Sequence, residues 1–431
     1  MASLVSRLSR RNYVVLPGLV LLAFGLRLWF SEWAQPVPPP FSDAEYYDAT
    51  ARSLARGDGY RVLFTDQGFR PGGEATAFYP PGYSFFLAAG YAFFGEGIGL
   101  ARGLNAAAGA LTVVPVYWLG RRFGGTAAGL AAGVLVALSP SLIAWTPVLL
   151  SETWFTFLFA LALAFLPWGP GGTEAGSPGR LLGAGVVVGL AALARGQALL
   201  LLPAWSLLLL WQGRGSRLAA RSTALLTLGA AAVLAPWAAR SSLALDSPVL
   251  LSTNFGYNLR VGHAPYASGR YETPHDLWSE QAPDFQALEV LFNDEGRQRA
   301  LDYALSHPAR EAELAARKVV ALWRPDTDAL TWVDSYGLTP LPDGARVPLK
   351  ALIVAGYITL LALAAFGLAR CAPDYRRFAF VFLALWALAH IVFFGEPRYH
   401  LPLLALLAPA AGRAVILLQR RASRLLQSGA P

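Results

Sequence analysis

Two acids and three cations stand where they could act on a phosphate-bearing substrate. Asp43 lies in "FSDAEYYDATARSLARGDGY", residues 41–60, and Glu152 lies in "PVLLSETWFTFLF". Arg195 lies in "LARGQ", and Arg398 and His400 in "FFGEPRYHLPLL". A carboxylate within hydrogen-bond reach of an acceptor group can serve as a general base. Arginine suits bidentate recognition of phosphate. Each residue also has a structural reading. Ser42 and Glu45 have the spacing of a capping box, with Asp43 in a first helical turn where the dipole favours an anion. Glu152 can likewise cap a helix beside Ser151 or Thr146. Arg195, Arg398 and His400 can snorkel to an interface or pair with Glu396. Tyr46, Tyr47 and Tyr79 can line a substrate site or anchor at a membrane surface.

The elements that position these residues are membrane helices. Of 431 residues, 55% are hydrophobic and only 14% charged, with mean hydropathy +0.43. An ordinary soluble chain has about 25% charged residues. The apolar residues fall in long blocks, as membrane spans do. The net charge of +8 and pI near 9.7 come mainly from arginines in short loops and tails between those blocks. That is the pattern of cytoplasmic charge beside spans. No basic face is interleaved with stacking aromatics, which excludes a nucleic-acid partner. Cys371 is the single cysteine, so neither an intrachain disulfide nor a cysteine-based metal cluster is available. The basic head and apolar stretch of "MASLVSRLSRRNYVVLPGLVLLAFGLRLWF" read as an uncleaved first span. The stretch is of span length, holds Arg27 and lacks a small-x-small cleavage site.

With the "SRLSRR" flank inside, the expected order runs as follows. Span 1 covers 13–32, and an external loop 34–79 holds a short helix over 43–56 ended by Gly57 and Gly59. An interfacial helix lies within 79–97. Spans 2 to 4 cover 100–120, 124–145 and 149–167, and a Gly-rich inner loop covers 169–180. Spans 5 and 6 share 181–212 and meet at "ARGQ"; span 7 covers 222–239. A polar segment, 240–347, is the nearest thing to a second domain, with amphipathic helices broken at His307-Pro308. Spans 8 to 10 cover 349–369, 376–394 and 400–418. The fold class is therefore an all-α polytopic membrane protein of about ten spans. It divides into a membrane module 1–239, an external segment 240–347 and C-terminal helices 348–431. Asp43, Glu152, Arg195, Arg398 and His400 all fall on the outer side.

The stretches "FSDAEYYDATARSLARGDGY", "FYPPGYSFFLAAGYAFFG" and "LLSETWFTFLFALAL" resemble the GT-C glycosyltransferases of the protein mannosyltransferase and aminoarabinose-lipid A transferase superfamily. "NFGYNLRVGHAPYASGRY", "SHPAREAELAARKVVALWRP" and "EPRYHLPLLALL" fit it too, and the likeness spans nearly the whole chain. The resemblance implies a GT-C bundle with juxtamembrane helices in the first external loop. It also implies a polyprenyl phosphate sugar donor, used at the outer face of a bacterial inner membrane.

On that resemblance Asp43 is the catalytic base and Glu152 the second acid, with glutamate where relatives carry aspartate. Arg195 contacts donor phosphate, with Arg398 and His400 in the last external loop. Glu45, Tyr46, Tyr47 and Tyr79 line the substrate site. The acceptor is left open among lipid, glycan and protein. No cofactor is expected, although Asp43, Glu45 and Glu152 offer oxygen ligands for a metal. Nor is a sugar nucleotide, since no phosphate-cradling Gly-rich loop follows a strand. A flippase of lipid-linked sugars and a polymer ligase are the competing readings. A flippase would place ionisable groups mid-span and show repeat symmetry.

Overall fold

The computed structural model describes residues 2–169, 177–277, 284–338 and 341–428. Most of the Gly-rich loop expected at 169–180 lies outside them. Among the described residues, six helices are long and apolar enough to cross a membrane: Val15–Ala34, Ile98–Gly124, Ser216–Leu245, Gly344–Leu368, Pro373–Val392 and Pro397–Gln427. Further apolar helices of 10–17 residues stand among them. Two of the breaks between them fall at polar residues, Ser139 and Arg195.

α1 (Ala2–Ala34) contains the first span. Its Arg27 is fully buried and donates to the carbonyls of Val136 and Ala137. A cation there satisfies orphan acceptors at a helix C-terminus. The apolar block at 124–145 is accordingly not one helix. It is α6 (Thr126–Ala137) followed, after Ser139, by the short α7 (Pro140–Trp145). Pro140 at the first helical position and the Ser139 cap start the second piece.

At the start of α2 (Asp43–Ala55) half of the capping box forms: the Ser42 hydroxyl accepts from the Glu45 N–H, while the Glu45 carboxylate accepts from the Phe41 N–H rather than from Ser42. A three-stranded antiparallel sheet follows, in the order β2-β1-β3. It comprises β1 (Arg61–Thr65), β2 (Gly68–Pro71) and β3 (Glu74–Ala75). The sequence reading contains no strand here, because each is too short to show a period. α3 (Gly82–Phe94) is the short helix expected within 79–97. Its first residue packs against the backbone of Leu193 and Ala194, at the end of α9 (Pro178–Ala194).

α4 (Ile98–Leu111) and α5 (Val113–Gly124) form one bent crossing, and α8 (Glu152–Phe165) and α9 (Pro178–Ala194) follow. α9 ends at Arg195, whose backbone is extended; a 3₁₀ turn over Gly196–Leu200 then leads into α10 (Leu201–Trp211). α11 (Ser216–Leu245) lies against α9, where Gly185 and Gly229 let the two backbones meet. Small residues at a crossing supply close packing where lipid gives no hydrophobic drive.

The polar segment contributes α12 (Phe255–Gly262), α13 (Phe285–Ser306), α14 (Pro308–Leu322) and α15 (Asp328–Tyr336), with the break at His307-Pro308 as expected. It is fastened to the first loop. Thr253 N–H donates to Ala77, Val37 N–H donates to Tyr336, and the buried Glu289 accepts from Thr76 and Ala77. α16 (Asp343–Leu368), α17 (Pro373–Val392) and α18 (Leu401–Ser428) complete the bundle. The first half of α18 is almost wholly buried against α5, α6 and α16.

Candidate active site

Helix ends that converge on one cavity hold the charged residues. Asp43 and Glu152 are the first residues of α2 and α8, where the helix dipole stabilises a carboxylate. Arg195 sits in the break after α9, and Arg398 in the 3₁₀ turn Pro397–His400 between α17 and α18. All four line a cavity of about 540 Å³. Glu152, 2% exposed, pairs with Arg195 at 2.8 Å and stands 3.6 Å from Arg398. Arg398 reaches within 3.9 Å of Asp43. The Tyr79 hydroxyl donates to Asp43 at 2.5 Å. Burial, and then the adjacent carboxylate, push the Tyr79 phenol well above its ordinary value, so it remains a donor. The ring of Tyr399 lies against both guanidinium groups, 5.1 Å from Arg195 and 5.4 Å from Arg398. The result is a chain of alternating charge, Arg195–Glu152–Arg398–Asp43, on one side of the cavity.

The remaining sequence-based candidates divide. Tyr47 lines the cavity beside Tyr79. Tyr46 points away and bonds Thr76. Glu45 is occupied elsewhere: it accepts from the N–H groups of Phe41 and Phe69 and pairs with Arg70. It thereby holds the sheet to the start of α2 and fixes Phe41, whose φ of 60° is unfavourable for a side chain with a Cβ. His400, expected at the donor phosphate, does not reach the cavity. It is fully buried, its Nδ1 bonds the Leu322 carbonyl, and its ring stacks on Tyr357. It follows Arg398 by two residues in a 3₁₀ turn, which carries the two side chains in different directions. Glu396, a possible partner for Arg398, is instead held by Arg270 and the Tyr271 N–H. The set Asp43, Glu45 and Glu152 is dispersed. Among the described residues no group of three or more His, Cys, Asp or Glu side chains forms a metal site.

Residues 79–239 match the family described as Dolichyl-phosphate-mannose-protein mannosyltransferase, a stretch that includes Tyr79, Glu152 and Arg195 but not Asp43 or Arg398. Over 97% of its length the chain superposes on the oligosaccharyltransferase AglB from Archaeoglobus fulgidus, solved with an inhibitory peptide and a dolichol-phosphate (TM-score 0.54, 18% identity, 52% of that chain). The chain has the GT-C glycosyltransferase fold. A second structure of the Archaeoglobus fulgidus oligosaccharyltransferase, tethered to an acceptor peptide, gives 0.51 at 19% identity, covering 95% of this chain and 50% of that one. The chain therefore spans about half the length of these oligosaccharyltransferases. ArnT from Cupriavidus metallidurans bound to undecaprenyl phosphate gives 0.44 at 15% identity, with 92% and 78% covered. No curated protein matches significantly.

Within this GT-C fold the cavity has further walls that sequence reasoning missed. One is apolar, built by Leu200, Leu250, Leu251, Phe255 and Phe393. Another is polar and comes from α12 and α13: Asn254, Asn258, Asn293 and Arg297, with Tyr257 and Tyr271 beside them. The signal available was the i, i+4 pairing of Asn254 with Asn258 and of Asn293 with Arg297, which puts each pair on one helix face. Nothing in the sequence says that the two faces meet.

Proposed function

We propose that the protein is an integral-membrane glycosyltransferase. It moves a sugar from a polyprenyl phosphate donor to an acceptor at the outer face of the cytoplasmic membrane, inverting the anomeric centre. The observation that carries this is Asp43 within 3.9 Å of Arg398 in a cavity with an apolar wall. A polyprenyl chain suits the apolar wall, and its phosphate suits Arg195 and Arg398. The cavity is lined by three arginines (Arg195, Arg297, Arg398) and two carboxylates (Asp43, Glu152), a surplus of one positive charge. AglB was solved with dolichol-phosphate, a ligand of the same class. The arginines at the end of α5 (Arg121, Arg122) and at the start of α11 (Arg217) fit a cytoplasmic side.

The step is a single displacement. Asp43 takes the proton from an acceptor hydroxyl or amine. The new bond forms at the anomeric carbon as the bond to the phosphate oxygen breaks. Polyprenyl phosphate leaves with the electron pair, and its charge grows against Arg398 and Arg195. Such fixed donors in a poorly hydrated site are worth ~10²–10³ in rate each. Tyr79 holds the Asp43 carboxylate in orientation through the bond to Oδ1. Glu152 keeps the two guanidinium groups in place between turnovers.

The test is release of polyprenyl phosphate from a panel of polyprenyl phosphate sugars, with a membrane extract as acceptor. Release by the wild type and not by Asp43→Asn is the expected result. Equal release by both would remove Asp43 from catalysis. Tight donor binding without release of any kind would favour a flippase.

A further inference from the structure

Asp43 stands between two unlike surfaces. On one side lie Arg398, Arg195 and the apolar wall. On the other lie Tyr257 and Tyr271, whose hydroxyls meet at 2.9 Å, and behind them the faces of α12 and α13. Asp43 lines the same cavity as both tyrosines. α12 and α13 cross closely. Gly256 packs on the Asn293 backbone, and the Asn293 side-chain oxygen accepts from the Gly256 N–H at 3.1 Å. The crossing turns Asn254 and Asn258, and Asn293 and Arg297, toward the same space.

On this wall Asn254 and Asn258 keep polar ends free, and Arg297 makes only a long ion pair. Among the described residues the Asn258 amide has no hydrogen-bond partner. Asn254 uses only its oxygen, on the Ser252 hydroxyl at 2.8 Å. Arg297 stands 3.7 Å from Asp294, beyond hydrogen-bond reach, with its side chain 57% exposed at the rim. An amide carries a donor and an acceptor side by side, which complements a sugar's adjacent hydroxyls. Tyrosine faces suit the C–H face of a pyranose ring. A guanidinium at the rim suits an anionic substituent.

We propose that the α12–α13 wall is the acceptor subsite and that the acceptor is a sugar-bearing molecule with an anionic substituent. This rests on the glycosyltransferase reading, because a base must touch the acceptor and the arginine side is taken by the donor phosphate. The acceptor ring packs on the exposed Tyr271, its hydroxyls bond Asn254 and Asn258, and its charged group meets Arg297. The attacking hydroxyl then faces Asp43.

The test is saturation-transfer NMR on the full chain in detergent. The probes are glucose, glucose 6-phosphate, glucuronate, inorganic phosphate and a serine tripeptide. The two anionic sugars should bind at least ~10-fold more tightly than glucose, the size expected of one charge-assisted hydrogen bond. Asn258→Leu should abolish the sugar signals, with Asn258→Ser as the milder variant should the first fail to fold. Arg297→Met should bring the anionic sugars down to the level of glucose. The stronger of glucose 6-phosphate and glucuronate tells whether phosphate or carboxylate is read. Unchanged sugar binding in both variants would overturn the proposal, as would binding of the tripeptide with no sugar competing. Binding of undecaprenyl phosphate to the wild type is read in the same samples. Its loss would sink the glycosyltransferase reading, whereas unaltered sugar signals in the variants would sink only the subsite.

Discussion

Arg398 faces both carboxylates of the site, 3.6 Å from Glu152 and 3.9 Å from Asp43. A phosphate entering the cavity competes with Asp43 for its outer nitrogen. Arg398→Gln should therefore lower single-turnover release of polyprenyl phosphate by ~10²–10³. Arg398→Lys should recover only part, because a lysine offers a point charge and no planar fork. Full recovery by lysine would show that charge alone matters. Glu152 is a different kind of residue. It is buried and pairs with Arg195, so Glu152→Gln leaves that guanidinium uncompensated while Arg398 keeps Asp43. Breaking a buried pair this way costs ~3–5 kcal/mol, which a thermal melt in detergent will register. Glu152→Asp keeps the charge and should melt close to the wild type.

Among the elements, the join between α13 and the segment after β3 responds to pH. Glu289 of α13 accepts from the Thr76 hydroxyl at 2.6 Å and from the Ala77 N–H at 3.1 Å. Burial pushes its carboxyl up to about 8. Below the ordinary glutamate value, near 4.5, both folded and unfolded chains hold the proton and nothing is lost. Between there and about pH 8 the unfolded chain ionises while the folded one keeps its proton, so stability falls as pH rises. Above about pH 8 it levels off. Glu289→Gln should flatten that part of the melting-temperature profile, and an equally steep slope in the variant would assign the effect elsewhere. Tyr79 follows Thr76 by three residues, so this join also sets where the donor to Asp43 stands. The α12–α13 crossing is the second sensitive element. A side chain at Gly256 would meet the Asn293 backbone, so Gly256→Val should lower stability by ~1–3 kcal/mol and weaken sugar binding together with it.

At the scale of the whole molecule, the cavity is shared property. α2 and the 76–79 segment come from the first loop, α12 and α13 from the polar segment, and Glu152, Arg195 and Arg398 from breaks between apolar helices. A ligand that touches all three should stabilise the chain as a unit. Undecaprenyl phosphate at 100 times its Kd should add about 2.7 kcal/mol, seen as a rise in melting temperature. The Arg195→Gln, Arg398→Gln double variant should lose that rise. A rise that survives in the double variant would place the lipid phosphate away from these arginines.

The sequence by itself determined the membrane class, the order of most helices and four of the charged residues that line the cavity, Asp43, Glu152, Arg195 and Arg398. Long apolar blocks are self-evident, a capping box is local, and an acid or arginine at the edge of such a block is costly enough to stand out. The start of α2 at Asp43 and the His307-Pro308 break were readable for the same reason. Tertiary structure alone decided the rest. His400 looked equivalent to Arg398 until the 3₁₀ turn aimed it at Leu322, and Glu45 looked like a site acid until Phe69 and Arg70 folded back onto it. The split of 124–145 into α6 and α7 depends partly on Arg27, more than a hundred residues away. The polar wall depends on two helices meeting at Gly256 and Asn293. In each case the deciding partner is remote in sequence, and no periodicity or spacing carries that information.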